Sequence, residues 1–238
     1  MAEIIVALDL PEGGEALELV DRLGPLGGFY KVGLELFTRE GPPIVRALRE
    51  RGKRVFLDLK LHDIPNTVAA AVRAATRLDV ELLTVHAVGG AAMMEGAARA
   101  ARGSGMRLLG VTVLTSLDAG ALRDSWGRRD AVQVEEEVVR LGRDARRAGL
   151  HGLVASPREA RSLRGALDEE TLLVIPGIRP PDMDHHDQTR VATPEVAVEA
   201  GADYLVVGRA VTRAPDPRRA LDTMVEQVHV AHGRGQAP

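Results

Sequence analysis

Eight short apolar runs alternate with helix-like segments along this chain. The runs are rich in β-branched residues or leucine and occupy 4–10 (IIVALDL), 29–36 (FYKVGLEL), 55–61, 81–88, 107–115, 152–156, 171–178 and 204–211. Between them, segments such as 66–78, 90–102, 133–149 and 216–230 carry apolar residues at helical spacing, and Gly or Pro punctuates their ends. Strands separated by helices run parallel, because a crossover helix carries the chain back to the edge where the previous strand began. Eight such units in 238 residues close most simply as one (β/α)8 TIM barrel, an α/β domain spanning 1–238. A doubly wound open sheet is the other fold the pattern allows. A hydrophobic share of 45% suffices for the core of such a domain. No interior segment reads as a linker or as low complexity, and the tail from His232 to Pro238 is expected to fray.

Charge and residue usage narrow the function classes. A net charge of −3 gives no bulk attraction to nucleic acid or to an anionic membrane surface. With no cysteine, disulfides, thiolate metal sites and thiol nucleophiles are out of reach. No apolar run reaches the roughly 18 residues of a membrane span. The segment Met1–Asp9 lacks a basic region followed by a cleavage site, so the expected compartment is the cytoplasm.

The third run carries the most specific chemistry: Asp58-Leu-Lys60-Leu-His-Asp63-Ile64-Pro-Asn-Thr67. Strand alternation puts Phe56, Asp58 and Lys60 on one side and Leu57, Leu59 and Leu61 on the other. The leucine side can pack against helices while the other side carries charge. Removing those charges from water is costly unless they pair, and even a paired set stabilises weakly. Two readings remain: a surface salt bridge, or a site that needs a charged lysine held between carboxylates.

In a barrel, function gathers at the C-terminal ends of the strands. Polar residues recur there: Asp9, Lys31, His86, Thr115, Ser156, Arg179 and the pair Gly208-Arg209. Each alone is compatible with a cap or a satisfied polar contact, and His86 between Val85 and Ala87 reads most simply as a packed histidine. A second constellation joins Pro176-Gly-Ile-Arg179, Gln188 and Gly208-Arg209. Gly208 lets backbone approach a ligand closely, and the two arginines can offer paired donors to phosphate oxygens. Loops after strands 7 and 8 are the usual phosphate site of this architecture. The polar stretch 180–188 reads as a loop able to close over that phosphate. Its His185 and His186 have no spacing that defines an ordered metal site.

Taken together, these segments resemble the orotidine 5′-monophosphate decarboxylases over nearly the whole chain. The match rests on Asp58 to Thr67, Val6-Ala-Leu-Asp9, Lys31-Val-Gly-Leu-Glu, Thr84-Val-His-Ala, Val113-Leu-Thr115-Ser, Pro176-Gly-Ile-Arg179 and Val207-Gly-Arg209, in family order. The Asp-x-Lys-x-x-Asp core alone is shared with magnesium-dependent sugar-phosphate decarboxylases and aldolases on the same barrel. A phosphate-ligand-binding barrel without catalysis is the non-enzyme alternative.

The resemblance implies cofactor-independent decarboxylation of orotidine 5′-monophosphate to uridine 5′-monophosphate in pyrimidine synthesis, with no metal. It implies that Lys60 donates the proton, that Asp58 and Asp63 flank it, and that Lys31 completes an alternating line of charge. Asp63, Ile64 and Thr67 would reach the neighbouring subunit's site in a homodimer. Asp9, Lys31 and Thr67 would address the ribose, and Thr115 and Ser156 would lie near the pyrimidine. Pro176, Arg179, Gln188, Gly208 and Arg209 would form the phosphate site and its lid.

Overall fold

Eight parallel strands pair in chain order and close into a barrel: β1 (Glu3–Ala7), β2 (Phe29–Val32), β3 (Arg54–Leu61), β4 (Leu82–His86), β5 (Arg107–Val111), β6 (Gly152–Val154), β7 (Leu172–Pro176) and β8 (Tyr204–Val207). Pairing of Glu3 with Tyr204 through Val6 with Val207 joins the last strand to the first, so this is a TIM barrel and not an open sheet. The computed structural model describes residues 1–180 and 192–234. No helix among them is long and apolar enough to cross a membrane.

Period-two alternation sorts each strand into two apolar layers. Ile5, Phe29, Phe56, Leu82, Leu109, Val174 and Val206 fill the barrel interior. Their neighbours Val6, Tyr30, Leu57, Leu83, Leu108, Leu173 and Leu205 point outward into the layer shared with the helices. Each such large side chain contributes about 1.5–3 kcal/mol on burial. The face of β3 carrying Leu57, Leu59 and Leu61 packs against this outer layer, as its alternation requires.

A charged network plugs the opposite end of the barrel from the strands' C-termini. Arg54 holds both oxygens of Glu81, at 2.6 and 2.8 Å, and also bonds Glu3. Arg107 bonds Glu81 and the Tyr204 hydroxyl, the latter at 2.9 Å. The Arg54 guanidinium lies 4.2 Å from the Phe29 ring centroid, adding a cation–π contact. These hydrogen bonds hold Glu81 below the usual carboxylate range.

The strands end earlier than the apolar runs, for one recurring reason. Leu8, Val113, Ile178 and Val211 lie beyond the ladders yet are at most 4% exposed, because they pack beneath the rim. An apolar run therefore overshoots its strand. Residues 34–36 belong to the helix Leu34–Glu40, which starts after Gly33, and 209–211 to the helix Arg209–Thr212. Asp9, Thr115, Ser156 and Gly208-Arg209 accordingly sit just past strand ends rather than on them. The helices at 66–78, 90–102, 133–149 and 216–230 are observed as Pro65–Ala75, Ala91–Ala101, Val134–Arg147 and Pro217–Arg234. The last of these carries His232–Arg234 as helix, not as a frayed tail, because Val228 and Ala231 anchor it to the body.

Candidate active site

The four residues of the charge line come from two strands and one loop at the C-terminal rim. Lys31 leaves the end of β2, Asp58 and Lys60 leave β3, and Asp9 follows β1. Lys31 Nζ donates to Asp9 Oδ1 at 2.8 Å and lies 3.7 Å from Asp58 Oδ2. That same oxygen accepts from Lys60 Nζ at 2.7 Å. The order is therefore carboxylate, ammonium, carboxylate, ammonium. Asp58 is 8% exposed. Burial pushes its pKa up, but Lys31 and Lys60 together with hydrogen bonds from Lys60 and Thr84 outweigh burial, and the net shift is downward.

Sequence alternation describes Lys60 incompletely. Its φ is +49°, the left-handed region, and the β3–β4 register slips between Leu57 and Leu61. A left-handed non-glycine residue costs about 1–2 kcal/mol. Such strain persists where surrounding contacts over-determine it. Here the Lys60 amide donates to the Thr84 hydroxyl at 2.8 Å.

Gly33, immediately after β2, makes room for the line. A Cβ there would lie 2.8 Å from Lys31 Nζ and 3.1 Å from Asp9 Oδ1. Any side chain at this position would press on the ion pair. Neither Gly33 nor Thr84 stands out in the sequence, because each acts through side chains that only the folded barrel brings to it.

The line opens into a cavity of about 450 Å³. Asp9, Lys31, Asp58 and Lys60 line one side. Pro176, Arg179, Gly208 and Arg209 line another, and Thr115 contributes from the loop after β5. A Cβ on Gly208 would sit 3.9 Å from Asp9 Oδ2, so the glycine widens the cavity instead of relieving a clash. Ser156 does not line it. Its side chain is fully buried at the start of the helix Pro157–Ala166, where amide and hydroxyl both donate to Glu159. Ala155 takes the neighbouring place in the cavity wall.

Asp63, Ile64 and Thr67 also lie outside this cavity, on the exposed segment 62–67. Ile64 is 67% exposed, and Asp63 accepts the Ile64 amide at 2.6 Å. His86 stands at the end of β4 with its ring 5.4 Å from that of His62. Burial, then His62 and Lys60, depress its pKa. Gln188 and the histidines of 180–188 lie outside the described residues.

Among the described residues, the carboxylates of the charge line are already paired with cations of the chain. Asp9 and Asp58 are each occupied by a lysine of the chain, and no group of three carboxylates or histidines able to hold a metal occurs among the described residues. Residues 2–224 fit the model of the orotidine 5′-phosphate decarboxylase / HUMPS family. The chain belongs to that family. It is 52% identical over 236 residues to orotidine 5′-phosphate decarboxylase of Moorella thermoacetica, across 95% of this chain and 93% of that protein. It is 53% identical over 217 residues to the protein of the same name from Anaeromyxobacter sp., across 91% and 94%. The crystal structure of orotidine 5′-phosphate decarboxylase from Lactobacillus acidophilus superposes with a TM-score of 0.84 at 36% identity, across 96% of this chain and 99% of that one.

Proposed function

We propose that this protein is a cofactor-independent carboxy-lyase that converts orotidine 5′-monophosphate to uridine 5′-monophosphate and carbon dioxide in pyrimidine synthesis. The observation that carries the reading is the alternating line Asp9–Lys31–Asp58–Lys60, facing the same cavity as Arg179 and Arg209. The bond from the pyrimidine ring to its carboxylate breaks, and the electron pair stays on the ring carbon. No neighbouring group can delocalise that pair, so charge already fixed in place must stabilise it. The Lys60 ammonium supplies this charge and then its proton. Water returns a proton to Lys60 afterwards.

In this reading Arg179, Gln188, Gly208 and Arg209, with Pro176, hold the phosphate. Phosphate binding energy is then available at the reacting carbon. Asp9 and Lys31 address the ribose hydroxyls, while Thr115 stands toward the pyrimidine side. Asp63, Ile64 and Thr67 complete the site of a second copy of the chain. Their exposure, away from their own cavity, favours a homodimer with shared sites. The barrel acts as one domain, in the cytoplasm.

Product analysis tests the assignment. Purified protein given orotidine 5′-monophosphate should release one carbon dioxide per uridine 5′-monophosphate formed. Intact substrate after prolonged incubation would overturn it. Turnover only of a sugar phosphate with magnesium would move the protein to the other branch of its family.

A further inference from the structure

We infer that Thr84 is a positioning residue of the reaction, its hydroxyl fixing both the Asp58 carboxylate and the backbone that carries Lys60. This rests on the proposed decarboxylase reading.

Thr84 is fully buried in the middle of β4, whose outward neighbours Leu83 and Val85 pack in the helix layer. Its Oγ1 accepts the Lys60 amide at 2.8 Å and donates to Asp58 Oδ1 at 2.9 Å. A hydroxyl has one proton. Because a backbone amide can only donate, the Thr84 proton is committed to Asp58. One oxygen of Asp58 is thereby tied to β4, and the other, Oδ2, is left for Lys60 and Lys31.

The same hydroxyl compensates for the slipped register. With φ at +49° and the β3–β4 ladder interrupted between Leu57 and Leu61, the Lys60 amide takes a side chain as acceptor in place of a ladder carbonyl. Buried amides are almost always paired, so removing this acceptor would free the turn that aims Lys60. Thr84 thus couples the direction of the carboxylate to the direction of the ammonium.

The test compares Thr84→Val, which keeps the shape and removes the hydroxyl, with Thr84→Ser, which keeps the hydroxyl. Thr84→Ala serves as a second hydroxyl-free variant if Thr84→Val does not fold, with folding checked by circular dichroism. Thr84→Val should lower kcat by about tenfold to a hundredfold, the scale of a misplaced catalytic group. Affinity for uridine 5′-monophosphate should stay near wild type, and Thr84→Ser should recover most of the lost rate.

Asp58 also loses a hydrogen bond that favours its charged form, so its titration should move to higher pH in Thr84→Val and return in Thr84→Ser. The charged or titratable groups near it are Lys31 from β2, Lys60 from its own strand, His86 from β4, and Asp9 beyond Lys31; all are unchanged in these variants. Carbon NMR of the Asp58 carboxyl, assigned with Asp58→Asn, reads this shift without turnover. Wild-type inactivity on orotidine 5′-monophosphate would therefore defeat the decarboxylase reading while the titration still judged the bridge. The inference is overturned if Thr84→Val matches wild type in kcat and in Asp58 titration. It is equally overturned if Thr84→Ser is as impaired as Thr84→Val, since the methyl group and not the hydroxyl would then matter.

Discussion

Lys60 Nζ donates to Asp58 Oδ2 at 2.7 Å although the two residues stand only two apart on one strand. Regular alternation sets such side chains side by side, and the left-handed backbone at Lys60 changes the angle at which the lysine leaves the strand. The Lys60 side chain is 28% exposed while that of Asp58 is 11% exposed, so the pair runs from the barrel wall toward the cavity. A cation placed this way can stabilise an anion forming in the cavity and can also hand it a proton.

Lys60→Ala should therefore abolish measurable turnover. The loss should exceed the roughly 10²–10⁴-fold that a positioned proton donor alone supplies, because electrostatic stabilisation goes with it. It should fall on kcat, since the proton moves only along the reaction path. Paired measurements of turnover and of uridine 5′-monophosphate affinity check this. Near-wild-type turnover would remove Lys60 from its assigned role.

Asp63 should serve a different site from the Lys60 of its own chain. Lys60→Ala and Asp63→Ala proteins, each inactive alone, should regain activity when mixed and allowed to exchange subunits. A heterodimer then holds one intact site and one doubly damaged site. Demonstrated exchange without recovery would count against sites shared between chains.

Much of this arrangement was legible in the sequence. Eight apolar runs located eight strands, and their alternation with helices required parallel pairing. Asp58 and Lys60 were readable because charge at i and i+2 on one strand face is hard to explain by stability alone. What stayed hidden depends on contacts between elements. Leu8 and Val211 read as strand because burial beneath the rim demands the same residues as burial in a ladder. Thr84 is an ordinary strand residue until β3 slips against β4 and brings the Lys60 amide to its hydroxyl. Ser156 looks like a rim polar group, yet Glu159 three residues later draws it into the start of a helix. The Ser-x-x-Glu spacing was the available signal.

Arg209 should grip phosphate without taking part in the bond-breaking step. Arg209→Ala should cost about 2–5 kcal/mol of transition-state stabilisation toward the nucleotide, the scale of a charged hydrogen-bonded pair left unpaired. Toward orotidine, which has no phosphate, the same change should matter far less, whereas Lys60→Ala should damage both reactions. Comparison of kcat/KM for the two substrates decides the role. An equal loss on both would place Arg209 near the reacting carbon or in the fold.

The plug at the barrel's other end should give an acid-sensitive share of stability. Glu81 is held below its ordinary 4.5 chiefly by the Arg54 hydrogen bond, which together with Arg107 overcomes burial. The unfolded chain takes up a proton near 4.5, while the folded one resists protonation until lower pH. The contribution is thus complete above 4.5 and is lost as pH falls through the folded value. Glu81→Gln should lose about 1–3 kcal/mol in urea unfolding at neutral pH, the scale of hydrogen bonds to a charged group. The gap to wild type should narrow as pH falls below 4.5. A gap that stayed constant with pH would deny Glu81 this role.

In the proposed reaction, orotidine 5′-monophosphate is decarboxylated by residues of this chain alone. The most direct measurement is the ultraviolet absorbance of that nucleotide after addition of the purified protein, with and without prior chelator treatment. Absorbance should fall as the pyrimidine loses its carboxylate, at the same rate in both samples. A flat trace, or a decay that chelator abolishes and magnesium restores, would contradict the proposed reaction.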